Sequence, residues 1–117
     1  MECRAWMQMD YLLHLLNLTW NSAGYRYLLY AADLVADGIR VGPDLLKDIS
    51  DLTGIPVNRL SKSLQKTWSE LNKTELGRKA IDGCAPGDLY GFLSHMILMT
   101  RFEDSFLVFL NPVDIKS

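Results

Sequence analysis

The chain has 117 residues, a net charge of −2 and a sequence pI near 5.6, with 49% hydrophobic and 22% charged residues. That balance fits one soluble globular domain, residues 1–117, with enough apolar side chains for a single core. It lacks the whole-chain basic excess that marks most nucleic-acid binders, so any such role has to be carried by local charge.

The apolar spacing predicts helices nearly throughout. Residues 10–18 (DYLLHLLNL) place Leu12, Leu13, Leu15, Leu16 and Leu18 behind Asp10, a candidate N-cap. In SAGYRYLLYAADLVADG, Tyr25, Leu28, Leu29, Ala32 and Val35 recur at helical intervals after Ser22, a second candidate cap. Gly38 is the residue type expected just past that helix. A third helix starts near Pro43-Asp44 and runs to about Thr53, and Gly54-Ile55-Pro56 turns into a fourth. Proline suits the first helical position, where its missing N–H has no partner to lose. Beyond Leu71, ELGRKAID reads as a short helix and residues 86–102 as another. EDSFLVFL reads as a last helix or an edge strand. The expected fold class is all-α, with about six helices and a central helix-turn-helix spanning residues 44–71.

The fourth helix has two opposed faces. At 100° per residue, Val57, Leu60, Leu64, Trp68 and Leu71 fall within an arc of about 80°. Arg59, Lys62, Lys66 and Lys73 fall within about 60° of one another, nearly opposite. Residues 57–79 hold six basic and two acidic side chains, a local balance of +4 that leaves the rest of the chain at −6. A solvated face explains such a pattern as readily as a ligand does. The preceding stretch separates the two. In ISDLTGIPVNRL, Ser50 allows two helices to approach, Gly54 suits a left-handed turn, and Ile49, Ile55 and Leu60 fill the angle between them. Those residue types at those places are what a helix-turn-helix requires, and there the second helix, about residues 56–71, lies in the major groove.

Three blocks carry a likeness to a known family: LLHLLNLTWNSAGYRYLLYAADLV (12–35), PDLLKDIS (43–50) and VNRLSKSLQKTW (57–68). Together they resemble the C-terminal DNA-binding effector domain of the sporulation initiation response regulator of endospore-forming bacteria, over residues 11–70. The resemblance implies an all-helical fold and a transcription regulator that binds double-stranded promoter DNA through the helix matching Val57 to Trp68. It implies that Arg59, Lys62, Gln65 and Lys66 face DNA. The family pattern has an acidic residue where this chain has Ser61 and a basic one where it has Gln65. Residues 73–117 match poorly, and in the family that region supports a homodimer on tandem sites.

The candidate DNA-contacting set is therefore Asn58, Arg59, Ser61, Lys62, Gln65, Lys66, Ser69 and Lys73. Glutamine can pair twice with adenine and lysine can donate to guanine acceptors, which suits Gln65 and Lys66 to base edges. Lys73, Arg78 and Lys79, at or past the helix end, suit phosphates. Arg59 alternatively pairs with Asp48 or Asp51.

Other residues point to structure. His14, among leucines, is expected to be buried and hydrogen-bonded, and Trp20 and Tyr25 to build the core, with Tyr30 exposed. Asp33, Asp37 and Asp44 are too loosely spaced for a calcium loop. Cys3 and Cys84 have no further ligand at metal spacing, so reduced thiols are expected. No nucleophile–base pair or phosphate loop stands out, and no enzyme activity, metal or cofactor is expected. Residues 11–25 and 89–100, the longest uncharged stretches, fall short of the ~18–20 apolar residues that span a bilayer. MECRAWMQMD lacks the order of a signal peptide. A cytoplasmic protein is the expectation. The acidic total charge keeps a second function class open, a protein–protein module on a degenerate helix-turn-helix fold, with LYGFLSHMILM or SFLVFL as its interface.

Overall fold

The computed structural model describes residues 4–85 and 87–101. Within them the chain is all-α, as expected: α1 (Arg4–Leu15), α2 (Tyr25–Ala36), α3 (Pro43–Thr53), α4 (Val57–Leu71), α5 (Glu75–Ala80) and α6 (Leu89–Arg101). Cys3 and the EDSFLVFL segment lie outside the described residues. None of these helices is long and apolar enough to cross a membrane.

The first helix begins well before Asp10, because Met9, Leu12, Leu13 and Leu16 form one buried ridge that continues N-terminally. Asp10 is therefore an interior residue, and its carboxylate accepts a hydrogen bond from the Tyr25 hydroxyl rather than capping a helix. Asn17 ends α1 in the left-handed region, φ 64°. The Leu18 amide then donates to the Leu13 carbonyl at 2.9 Å and the Asn17 amide to that of His14 at 3.0 Å. This crossed pair satisfies carbonyls that the last turn leaves open. Gly38, φ 104°, closes α2 in the same way, with Ile39 donating to Leu34 and Gly38 to Val35.

Ser22 does not cap α2. Its hydroxyl accepts from the Thr19 amide at 3.3 Å, and Gly24 occupies the cap position without a side-chain bond. The Gly24 N–H donates instead to Thr67 Oγ1 at 2.8 Å, across to α4. A Cβ at Gly24 would stand 2.4 Å from that oxygen, so glycine is what lets α2 meet α4 here.

Between α3 and α4 only Gly54, Ile55 and Pro56 intervene. Gly54 takes the left-handed conformation, φ 75°, with its amide on the Ser50 carbonyl at 2.8 Å. Ser50 Oγ donates to the Ile55 carbonyl at 2.6 Å, which pins the turn to α3. Pro56 sits at the cap, one place before the first helical residue. Further on, Thr74 caps α5 by accepting from the Gly77 amide, and Asp88 accepts from the Gly91 amide at the start of α6. The sixth helix thus begins at Leu89, after the expected position 86.

The second helix is central, packing against α1, α3, α4 and α6. Leu13, Tyr25, Leu28, Leu45, Ile49, Leu60, Leu64, Leu93 and Met96 are fully buried at their junction. Each such side chain contributes about 1.5–3 kcal/mol by leaving water. His14, expected in the core, is exposed: its ring lies at the rim, with Nδ1–H reaching the Asp10 carbonyl at 2.9 Å and the Tyr25 hydroxyl at 2.8 Å. Trp20 is also exposed, stacked against Tyr25 with ring centroids 5.4 Å apart. Tyr25 itself is buried, and burial, then the neighbouring Asp10 carboxylate, pushes its phenol well above the ordinary tyrosine range. Tyr30 is exposed as expected.

Candidate nucleic-acid interface

The fourth helix is held by one face and leaves the other free. Leu60, Leu64, Thr67 and Leu71 are buried. Val57, expected at the end of that stripe, is exposed. Thr67 replaces it, because its contact with Gly24 turns the buried face toward α2. Thr67 Oγ1 accepts from Gly24 and donates to the Ser63 carbonyl at 3.1 Å, so a buried hydroxyl is satisfied in both directions.

Of the eight candidate contact residues, Asn58, Arg59, Ser61, Lys62, Gln65, Lys66 and Ser69 lie on α4 and Lys73 two residues beyond its end. All are exposed except Ser61, which is half-buried. Arg59, Lys62 and Lys66 occupy one strip, and Asn58, Ser61, Gln65 and Ser69 a second strip beside it, by the 100° repeat of the helix. Cations thus stand next to neutral hydrogen-bonding groups along the whole helix. None of Arg59, Lys62, Lys66 and Lys73 forms an ion pair among the described residues, and the alternative pairing of Arg59 with Asp48 or Asp51 is not made.

Two further cations are occupied. Lys79 pairs with Glu75 at 3.9 Å, and Arg78 donates to the Asn72 carbonyl at 3.3 Å, closing the end of α4. On the other side of the turn, α3 carries Asp44, Asp48 and Asp51, which share an open groove with Arg40 and Lys47. The cationic strip therefore follows an acidic helix in sequence.

The structure adds a feature that the sequence pattern does not signal. Gln65, Trp68 and Ser69 form one wall of a cleft of about 210 Å³ whose other wall is the start of α6, with Asp88, Leu89 and Phe92. Trp68 Nε1 is buried with no hydrogen-bond partner among the described residues, as is Glu70 Oε1. An orphaned buried donor of this kind costs about 1–3 kcal/mol.

Cys84 forms no disulfide among the described residues, and burial, followed by the charges of Asp88 and Asp82, pushes its thiol up, away from a nucleophilic thiolate. His95 is half-buried on α6, its Nε2 donating to the Ala80 carbonyl at 2.6 Å. Among the described residues, no group of three or more His, Cys, Asp or Glu side chains is placed to hold a metal ion. No family model, curated protein or solved structure matches the chain.

Proposed function

We propose that the protein is a DNA-binding transcriptional regulator, with α3, the three-residue turn and α4 acting as a helix-turn-helix and α4 entering the major groove of promoter DNA. The observation that carries this is the exposed face of α4, where Arg59, Lys62 and Lys66 form no ion pair among the described residues and lie beside Asn58, Gln65 and Ser69. Cations supply sequence-independent attraction to phosphates, and the neutral side chains can meet base edges. The likeness of residues 12–35, 43–50 and 57–68 to the sporulation effector domain supports the same use of α4. The expected homodimer on tandem sites depends on the region of residues 73–117, where the likeness is poor.

Fluorescence anisotropy with a family-type promoter duplex and a scrambled one, across a salt series, tests the proposal. Log affinity should fall linearly with log salt, by about 0.9 for each phosphate neutralised. The triple substitution R59A/K62A/K66A should abolish the preference and flatten the salt dependence. Undiminished binding by that variant sinks the proposal.

One observation favours a second reading, a protein–protein module that has lost DNA. Leu52 and Val57, 60% and 40% exposed, flank the turn between α3 and α4, and apolar surface is a partner's anchor rather than a phosphate's. A stable stoichiometric partner together with no duplex binding at low salt would select it.

A further inference from the structure

Two of the three tryptophans share one opening at the surface. Trp6 on α1, Trp20 in the connection to α2, and Arg26, Leu29 and Tyr30 on α2 line a pocket of about 280 Å³. Aromatic side chains of this size usually give up most of their surface on folding. Here Trp6, Trp20 and Tyr30 remain 38%, 47% and 39% exposed, whereas Leu29 is buried. Tyr25 holds Trp20 at 5.4 Å between ring centroids, and Trp6 stands 6.4 Å from Trp20 with the two rings tilted by 54° rather than stacked face to face. Accessible aromatic surface is thus gathered at one pocket instead of scattered, which marks a binding site.

The charge in the wall selects the ligand. Rings alone attract an organic cation, but Arg26 is permanently charged and repels one. Arg26 is exposed and forms no ion pair among the described residues. It stands one helical turn before Tyr30, so the two share a face of α2. A guanidinium can grip a carboxylate through two parallel N–H donors. A phosphate monoester carries more charge than one guanidinium balances. A cavity of about 150 Å³ takes up benzene, so this larger pocket has room for a fused aromatic body. We propose that it binds a small aromatic carboxylate, the ring against Trp6, Trp20 and Tyr30 and the carboxylate on the Arg26 guanidinium. The site belongs to α1 and α2 and is independent of the reading of α4 as a DNA-contacting helix.

The probes are naphthoate and its uncharged analogue naphthylmethanol, followed by ¹H–¹⁵N correlation spectra of the full chain near neutral pH. The three tryptophans give three indole signals, those of Trp6 and Trp20 assigned through W6F and W20F. Millimolar naphthoate should shift both signals saturably and leave that of Trp68 in place, and the alcohol should bind more weakly. R26Q changes an exposed residue and should stay folded, weaken naphthoate about fivefold and leave the affinity for the alcohol as it is. Y30A, which removes a ring from the wall, should weaken both probes. Unmoved Trp6 and Trp20 signals, a shift confined to Trp68, or undiminished binding by Y30A would overturn the site. Equal affinities for acid and alcohol, or an R26Q chain that takes naphthoate as tightly as the native one, would overturn the carboxylate. A proline-rich peptide that moves the same two signals at lower concentration than naphthoate would make the pocket a peptide groove and overturn the small ligand.

Discussion

At the scale of single residues, Gly24 against Thr67 is a tightly constrained contact between two helices distant in sequence. An added methyl at Gly24 meets Thr67 Oγ1 at 2.4 Å and the Ser63 carbonyl at 3.1 Å, so the hydroxyl must leave and the Gly24 N–H loses its acceptor. G24A should cost about 1–3 kcal/mol in urea unfolding. In a T67A background, where the colliding oxygen is gone, the same substitution should cost distinctly less. Equal costs in the two backgrounds would show that the contact is not what limits position 24. Asp33 makes a different case. It stands in the last turn of α2, and burial, then the Asp37 charge, pushes its carboxyl above the usual value. A carboxyl whose folded pKa is raised is better tolerated protonated, so its charged form weakens the fold as pH rises through that pKa. D33N removes that charge and its clash with the negative end of the helix, which is worth about 0.3–1 kcal/mol. The variant should melt higher than the native chain at pH 7, and the gap should close below the unperturbed value of 3.8. A constant gap down to pH 3 would rule out ionisation as its cause.

Elements show where the turn chemistry lies. A Cβ at Gly54 meets nothing within 4 Å, so its left-handed φ of 75° is the whole reason for glycine there. G54A should destabilise by about 1–2 kcal/mol and, because this turn sets how α4 leaves α3, loosen α4 first. Hydrogen exchange resolved along the chain would show faster exchange in residues 57–71 than in 25–36. That turn was legible from sequence, as were the extent of α3 and the glycine closing α2, since each is set by local residue chemistry. The start of α1 was not, because an aspartate before an apolar run looks the same whether it caps a helix or receives a hydroxyl from fifteen residues away. Ser22 misled for the same reason. On α4 the exposed cations were readable from the helical repeat, but the exchange of Val57 for Thr67 on the buried face depends on Gly24, forty-three residues away in sequence. The cleft of Trp68 likewise exists only because α6 packs against α4.

Across the whole molecule the charge is divided rather than spread. Residues 57–79 carry +4 in a chain of −2, whereas α3, the helix before α4, carries Asp44, Asp48 and Asp51 against Lys47. On the DNA-binding proposal, a duplex approaching α4 is attracted by Arg59, Lys62 and Lys66 and repelled by Asp48 and Asp51, which narrows the orientations that can dock. This repulsion acts on phosphates and is therefore blind to sequence. D48N/D51N should tighten binding to promoter and scrambled duplex alike, by about two- to fivefold at low salt, and leave their ratio unchanged. The gain should vanish toward 1 M salt, where the screening length falls to about 3 Å. A gain confined to the promoter duplex would instead place one of these aspartates against a base, and a gain that survives high salt would mean a short-range contact rather than a field. Anisotropy on both duplexes at two salt concentrations separates these outcomes. Asp51 lies in the last turn of α3, where a negative charge opposes the helix dipole, so the substitution should not weaken the fold that presents α4.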